Sequence, residues 1–318
     1  MKLATPESVV GDSRLLCVGS QSIIVTSVPR FNLHHYTEQE FDLGHIKLQA
    51  RVWGREKSHK VIALHGWLDN CASFNRIAPL MDAHVVALDL AGHGLSDHRK
   101  HLAPYNLWED IAEVFAVADA LQWQEFSLLG HSRGAMVATL AAGTFPKRIK
   151  ALSLIDGIWP EPVNEEDAPR QLAQSVAQVL NPRRKRATVY PSWDAAIEAR
   201  MNSIFPIARE SSELLAERGV LAHEGGYIWR ADPNLQLPSA IKLTRNQQHA
   251  FVHKIEAQCN LILAENGISH HVKNLREELN HFPKISVTLL DGSHHLHMET
   301  RVNEVADAVN QLFSQLHS

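Results

Sequence analysis

Six short runs of apolar residues recur along the chain and determine what kind of sheet it forms. They cover residues 61–64, 85–90, 126–129, 151–155, 261–264 and 285–290. Unbroken apolar runs of this length are typical of parallel strands whose two faces are both covered by helices. Apolar residues recur at helical spacing at residues 72–81, 107–121, 135–144 and 302–316. The alternation predicts an α/β fold with a mostly parallel, doubly wound sheet, in which sites gather at the carboxyl ends of the strands.

Three parts of the chain depart from this alternation. Residues 40–43 and 46–53 alternate around Gly44 as an antiparallel hairpin does, which predicts an antiparallel edge of the sheet. The roughly 90 residues before the strand at 261–264 are too many for a structureless loop. We interpret residues 158–250 as a helical lid inserted into a core made of residues 36–157 and 251–318. Residues 1–35 are an N-terminal extension of unclear structure.

Charge and cysteine content narrow the class of protein. With 31 basic and 35 acidic residues the formal charge is -4, which gives no reason to expect a nucleic-acid partner. No apolar stretch approaches the ~20 residues of a membrane span, so no membrane insertion is expected. The three cysteines, Cys17, Cys71 and Cys259, are odd in number and far apart. They indicate reduced thiols and a cytoplasmic location. The sequence does not indicate an oligomeric state.

A serine between two glycines lies where the apolar run 126–129 meets a run of small helix-forming residues. The sequence there is Gly130-His131-Ser132-Arg133-Gly134, which has the G-x-S-x-G pattern of a nucleophile elbow. In such an elbow the serine occupies a strained turn between strand and helix that exposes its hydroxyl at the sheet edge. We therefore predict Ser132 as a catalytic nucleophile.

A serine hydroxyl needs a base within hydrogen-bond reach, because it is a poor nucleophile at neutral pH. In proteins with this nucleophile elbow, the serine, the acid and the histidine of the catalytic triad follow one another in that order along the chain. The histidine should therefore follow the last strand. His294, His295 and His297 all lie there. We choose His294 as the base because it comes first after the strand end, and we expect the other two to flank the site.

The acid of the triad has two candidates. Many hydrolases carry an Asp in the loop after the strand equivalent to 261–264, but here Glu265 is the only carboxylate in that loop. The strand that precedes the lid ends at Asp156, and some members of the fold, the haloalkane dehalogenases among them, place their acid at this position. We favour Asp156 and keep Glu265 as the alternative.

Two backbone N–H groups are needed to stabilise the negative charge that develops on the substrate oxygen. One is expected from Arg133, the residue after the nucleophile. The other is expected from Trp67, which follows His65 and Gly66 in the loop after the strand 61–64. These two residues are the predicted oxyanion hole.

Four motifs together carry a resemblance to a known family: HGWLDN at 65–70, GHGLS at 92–96, GHSRG at 130–134 and GSHHLHM at 292–298. They resemble the α/β-hydrolase superfamily, and within it the serine hydrolase-like proteins. The likeness runs from about residue 41 to the C-terminus, and the first 35 residues fall outside it. The family implies Ser132 as nucleophile and His294 as base, but it does not imply a defined substrate.

Other features have a functional and a structural interpretation. The 20 histidines suggest a metal site, but without a further group of Cys or Asp at ligand spacing we expect no metal and no cofactor. The basic run at 183–186 is interpreted as a solvated corner rather than a nucleic-acid patch. The lid aromatics either line an apolar pocket or pack the lid against itself: Trp159, Tyr190, Trp193, Phe205, Tyr227 and Trp229.

These features predict a serine hydrolase that acts on a small-molecule acyl substrate. The simplest form is a carboxylesterase-like enzyme that cleaves a small or medium acyl ester through an acyl-enzyme. Two alternatives stay open. The same triad cleaves carbon–carbon bonds in vinylogous diketones, and the missing Asp after Ala264 would also suit a catalytically silent ligand-binding protein.

Overall fold

The computed structural model describes residues 36–181, 186–268 and 275–316. Its strands are β1 (Thr37–Asp42), β2 (Lys47–Trp53), β3 (Lys60–Leu64), β4 (His84–Leu88), β5 (Phe126–His131), β6 (Ile149–Ile155), β7 (Val220–His223), β8 (Gly226–Trp229), β9 (Gln258–Asn266) and β10 (Ile285–Ser293). Eight of them form one sheet in the order β1-β2-β4-β3-β5-β6-β9-β10, and β7 pairs with β8 separately. The predicted extension at residues 1–35 lies outside the described residues.

The sheet has one antiparallel edge and is otherwise parallel. Strands β1 and β2 pair antiparallel, as do β2 and β4. All pairs from β4 through β3, β5, β6 and β9 to β10 are parallel. This confirms the predicted mostly parallel α/β sheet with an antiparallel hairpin at its edge. It also brings the carboxyl ends of β3, β5, β6, β9 and β10 to the same end of the sheet.

Both faces of the sheet are buried, which explains why its strands are apolar without interruption. Successive side chains on a strand point to opposite faces. On β5, Leu128 packs into the cluster that contains Val114 and Val137, whereas Leu129 packs into the cluster that contains Val305. Leu128 and Leu129 are both fully buried. A strand with one wet face would alternate between polar and apolar residues.

The helices are α1 (Leu107–Ala120), α2 (Arg133–Thr144), α3 (Ala168–Val179), α4 (Trp193–Met201), α5 (Arg209–Gly219), α6 (Arg245–Lys254), α7 (Leu275–Leu279) and α8 (Val302–Ser314). Helix α1 begins with a capping interaction in which the Asn106 N–H donates to the Glu109 carboxylate at 3.1 Å. Helices α1, α2 and α8 cover the sheet faces. None of the helices in the described ranges combines the length and the apolar character that crossing a bilayer requires.

The prediction of a helix at residues 72–81 is wrong. Two short 3₁₀ turns occupy this stretch, Cys71–Phe74 and Ala78–Leu80. The Asn70 side chain accepts from the Ala72 N–H and starts the first turn, and Pro79 lies at the start of the second. Because proline has no N–H to donate, it interrupts the hydrogen bonds of a continuous helix. The apolar spacing there reflects burial of both turns rather than one helix.

The stretch between β6 and β9, which we call the β6–β9 segment, contains α3 to α6 and the β7–β8 hairpin. The sequence predicts only helices for residues 158–250, so the hairpin is an addition. Helix α6 packs against α2, and it spans residue 250, where the predicted lid ends. The segment is joined to the sheet by a buried ion pair between Arg218 Nε and Asp89 Oδ2 at 2.7 Å. Arg218 also contacts Glu38 on β1 at 2.8 Å.

Candidate active site

Ser132 lies in a tight turn between the end of β5 and the start of α2. Its backbone has φ 51° and ψ -114°, a conformation that side-chain-bearing residues rarely adopt. The turn depends on close approaches by two glycines. A Cβ on Gly157 would lie 2.6 Å from the carbonyl oxygen of Ser132, and a Cβ on Gly134 would collide with the carbonyl of Leu64. Glycine at both positions lets β6 and β3 pass close to the elbow.

Three side chains from three different strand ends form one hydrogen-bonded chain. The Oγ of Ser132 lies 2.9 Å from Nε2 of His294, and Nδ1 of His294 lies 2.5 Å from Oδ2 of Asp156. The arrangement corresponds to an imidazole that donates its Nδ1–H to the carboxylate and accepts the serine proton at Nε2. His294 and Asp156 are buried at 3% and 0% exposure, so little water competes for these hydrogen bonds.

The Asp156 carboxylate is fixed by backbone groups as well as by the imidazole. The Ala264 N–H donates to Oδ1 at 3.0 Å and the Ile268 N–H donates to Oδ2 at 2.8 Å. A Cβ on Gly267 would collide with this carboxylate. The loop after β9, where many hydrolases carry the acid, therefore holds a carboxylate that comes from β6. Asp156 has a φ of 41°, so its own backbone is strained.

Glu265, the alternative acid, occupies a different place. It lies near the end of β9 and is exposed to solvent. The Nδ1 atom of His294, the ring atom that an orienting acid must hold, is bonded to Asp156 instead. Of the two carboxylates, the structure thus brings Asp156 and not Glu265 to the imidazole.

The two predicted oxyanion donors belong to neighbouring strand ends. Leu64 at the end of β3 is directly opposite Gly130 on β5, so the loop that carries Trp67 leaves the sheet beside the elbow. Arg133 is the first residue of α2, where a backbone N–H has no acceptor within the helix. The Trp67 indole N–H donates to the Leu235 carbonyl at 3.1 Å, which ties the loop to the β6–β9 segment.

The side chain of Arg133 belongs to a buried ionic cluster behind the elbow. Its Nη2 lies 2.5 Å from Oδ2 of Asp110 on α1. Arg99 reaches the same carboxylate at 3.2 Å and Glu113 at 2.6 Å. Burial raises the pKa of Glu113 to about 7, although Arg99 opposes this shift. The sequence signal for this cluster is a pair of acidic residues three positions apart on the otherwise apolar face of α1.

A second buried polar cluster joins the β6–β9 segment to the site. Arg200 on α4 donates from Nη2 to Oδ1 of Asp69 at 2.6 Å, and the same nitrogen lies 3.2 Å from Nε2 of His295. His295 Nε2 lies 3.3 Å from the other oxygen of Asp69. Burial by itself raises the pKa of Asp69, but the guanidinium of Arg200 beside it holds this pKa well below its usual value. Asp69 is therefore a buried carboxylate stabilised by a cation from the segment.

Burial favours the uncharged form of the histidines beside the site. Burial lowers the pKa of His295 and lowers the pKa of His297 to about 3. The ligand atoms of Asp69, His131 and His295 lie within 4.8 Å of one another, which is compatible with a metal site. However, the guanidinium of Arg200 contacts two of the three and already supplies a positive charge there. The expectation that the protein uses no metal stays a prediction.

One aromatic residue of the β6–β9 segment touches the imidazole. The ring of Phe205 stacks on His294 with the ring centroids 4.0 Å apart. Trp193 instead packs edge-on against Tyr227, within the segment. Phe205 therefore reaches His294, whereas Trp193 packs the segment against itself. Of the basic run at 183–186, only Arg186 falls within the described residues.

Comparisons with known proteins agree with this architecture. A family model described as the alpha/beta hydrolase fold matches residues 60–190. Human serine hydrolase-like protein 2 is 32% identical over 244 residues, which are 74% of this chain and 76% of that protein. The serine hydrolase-like protein of Danio rerio is 30% identical over 231 residues, 70% of each chain.

A solved structure extends the match over nearly the whole described region. The crystal structure of a hypothetical protein from Pseudomonas aeruginosa PAO1 has a TM-score of 0.82 and 43% identity, and the match covers 88% of this chain and 99% of that one. The resemblance found in the four sequence motifs is thereby confirmed. The chain belongs to the α/β-hydrolase superfamily and, within it, to the serine hydrolase-like proteins.

Proposed function

We propose that the protein is a serine hydrolase that cleaves a small or medium acyl ester through an acyl-enzyme. The observation that carries this proposal is the hydrogen-bonded chain from Asp156 through His294 to Ser132. It has the two contacts that serine activation requires: a nucleophile next to a base, and a base oriented by a buried acid. The contact also counts against a silent binding protein, because Asp156 lies at the imidazole even though no Asp follows Ala264.

In the proposed reaction, the Oγ of Ser132 attacks the acyl carbon while its proton passes to Nε2 of His294. The carbonyl oxygen becomes negative and accepts hydrogen bonds from the backbone N–H groups of Trp67 and Arg133. Asp156 stabilises the imidazolium, which then protonates the leaving alcohol as the carbon–oxygen bond breaks. Water activated by His294 then hydrolyses the acyl-enzyme and regenerates the serine.

We also propose that residues 158–250 act as a lid over a core of residues 36–157 and 251–318. Two contacts support this role: Phe205 stacks on the imidazole of His294, and Arg200 binds Asp69 in the loop that carries Trp67. Exclusion of water by such a cover strengthens the electrostatic interactions within the site.

The cytoplasmic location stays a prediction, which cell fractionation would test, and it agrees with the buried, unpaired thiols of Cys71 and Cys259.

The test combines an active-serine probe with turnover of a simple ester. A fluorophosphonate should label the wild-type protein at Ser132 and should not label Ser132→Ala. Hydrolysis of p-nitrophenyl acetate should fall to background in Ser132→Ala and stay unchanged in Ser314→Ala, a control on the exposed end of α8. Equal hydrolysis by Ser132→Ala and wild type would refute the proposal. Labelling without ester hydrolysis, but with cleavage of vinylogous diketones, would favour the carbon–carbon hydrolase instead.

A further inference from the structure

A cavity of about 410 Å³ lies between the β6–β9 segment and the loop after β3. Leu68, the residue after Trp67, lines it on the core side. Arg200 lines it on the α4 side and donates from Nη1 to the Phe205 carbonyl at 3.3 Å. The ring of Phe205 in turn stacks on His294. The cavity therefore borders the loop that carries the proposed oxyanion donor Trp67, and Arg200 and Phe205 lie between it and the proposed base.

The wall of this cavity combines apolar surface with positive charge. Tyr190, Trp229 and Pro233 contribute apolar surface. Two of its described lining residues are arginines, Arg186 and Arg200, and none is a carboxylate. Such a wall favours a ligand with an apolar body and a negatively charged end, and it disfavours a cationic ligand.

The two arginines differ in how their charge is balanced. Arg200 is nine-tenths buried and pairs with Asp69, so its charge is largely compensated. Its Nε–H is buried and has no acceptor among the described residues, which leaves one donor in the wall unsatisfied. Arg186 is exposed at the cavity and makes no ion pair with any residue in the described ranges. Arg186 therefore carries the charge in this wall that a ligand could neutralise.

We infer that this cavity selects substrates that carry a carboxylate on the part of the molecule remote from the reacting carbonyl, with Arg186 as the residue that recognises it. The inference rests on the proposed hydrolase function and adds the substrate class. A carboxylate a few ångströms from a partly exposed guanidinium gains roughly tenfold in binding over a neutral group of the same shape.

The test compares esters that differ only in charge. Mono-p-nitrophenyl adipate carries a carboxylate at the end of its acyl chain, and p-nitrophenyl 6-methylheptanoate has an isopropyl group in its place. A second pair puts the change on the alcohol: 4-acetoxybutanoate and 4-methylpentyl acetate. The first pair tests a carboxylate on the acyl part of the substrate and the second tests one on the alcohol part, so the test covers both ways in which a substrate could place its charge in the cavity. We expect kcat/KM for the anionic ester to exceed that for its neutral partner about tenfold in at least one pair.

Variants connect this preference to the cavity. The ratio of anionic to neutral kcat/KM should fall to about one in Arg186→Gln and below one in Arg186→Glu. Arg170→Gln is the matched control, because Arg170 is an exposed cation on α3 of the same segment and does not line the cavity. It changes the net charge equally and should leave the ratio as in wild type. A ratio that falls equally in Arg170→Gln would mean that overall charge, not the cavity, sets the preference, and would overturn the inference.

A binding measurement separates this inference from the proposed chemistry. Ser132→Ala should bind the anionic ester of the preferred pair about tenfold more tightly than the neutral one by calorimetry, without turnover. Equal affinities, together with probe labelling of Ser132 in the wild type, would overturn the substrate class and leave the hydrolase proposal standing. Failure of the probe to label Ser132 would instead count against the hydrolase proposal.

Discussion

The Nη2 atom of Arg200 lies 2.6 Å from the Oδ1 atom of Asp69, although the two residues are 131 positions apart in sequence. The contact joins α4 to the loop that contains the proposed oxyanion donor Trp67. Both side chains are buried, at 10% and 1% exposure. Because His295 contacts both of them, the same cluster also borders the proposed base, His294. The position of the β6–β9 segment is thereby coupled to the geometry of the site.

Replacement of Arg200 should affect both stability and turnover. In Arg200→Met the Asp69 carboxylate stays buried without its cation, and removal of one partner of a buried pair costs about 3–5 kcal/mol of unfolding free energy. A shift of the oxyanion loop by about 1 Å would lower kcat about a hundredfold. Urea unfolding and ester hydrolysis measure the two effects. Wild-type values of both would contradict the proposed role of the contact.

Two further variants separate loss of folding from loss of positioning. The double variant Arg200→Met/Asp69→Asn removes the buried charge as well, so it should recover most of the lost stability without recovering kcat. Arg209→Met is the control, because Arg209 forms an exposed ion pair with Asp194 on the same segment. Its unfolding free energy should stay within about 0.5 kcal/mol of wild type.

Exchange of the two candidate acids tests which one orients His294. Asp156→Asn offers an amide N–H where the imidazole needs an acceptor, which favours the wrong tautomer and should lower kcat about 10⁴-fold. Glu265→Gln should keep kcat within about threefold, because Glu265 does not hold the imidazole Nδ1. Circular dichroism would establish that both variants fold. The reverse order of effects would identify Glu265 as the acid.

How far the sequence predicts the site depends on how local each signal is. The elbow, the strand before it and the start of the helix after it are encoded within about a dozen consecutive residues, so Ser132 could be placed from the pattern alone. The choice between the two candidate acids could not be made from a local pattern. Strands β6 and β9 are neighbours in the sheet, so Asp156 and Glu265 leave it at adjacent ends. Only the direction of each side chain distinguishes them, and that direction depends on the turn around Asp156.

The remaining differences have long-range causes. No pattern near Asp69 predicts that its partner is Arg200, because the path of the β6–β9 segment over the sheet sets this contact. The failed helix prediction at residues 72–81 has a different origin. Apolar spacing there satisfies a helical template, but Pro79 breaks the hydrogen-bond ladder, and burial alone produces the same spacing.

Gly267 should be needed for activity because of the space it leaves. A Cβ at this position would collide with the Asp156 carboxylate, which already accepts hydrogen bonds from the N–H groups of Ala264 and Ile268. We expect Gly267→Ala to displace the carboxylate from His294 and to lower kcat by at least about tenfold. The control is Gly225→Ala in the β7–β8 turn, where a Cβ meets no atom within 4 Å.

Gly225 has a φ of +83°, so its replacement costs about 1 kcal/mol of backbone strain without touching the site. This control should therefore lower the melting temperature slightly and leave kcat as in wild type. Full activity of Gly267→Ala would mean that the loop after β9 moves to accept the methyl group, and that the close packing around Asp156 is not required.

Glu113 should make stability depend on pH near neutrality. Its pKa rises from 4.5 to about 7 on folding, so the folded protein binds this proton more tightly than the unfolded chain. This contribution to the unfolding free energy is fully present below about pH 4.5 and is lost as pH rises through 7. At 1.36 kcal/mol per pKa unit, it amounts to roughly 3 kcal/mol at most. Glu113→Gln keeps a neutral side chain, so the unfolding free energy of wild type relative to this variant should fall between pH 5 and pH 8. Urea titrations across that range measure the difference. Glu125 is exposed, so Glu125→Gln is the control, and its unfolding free energy should vary with pH as that of the wild type does. A difference that stays constant with pH would show that Glu113 is already ionised throughout.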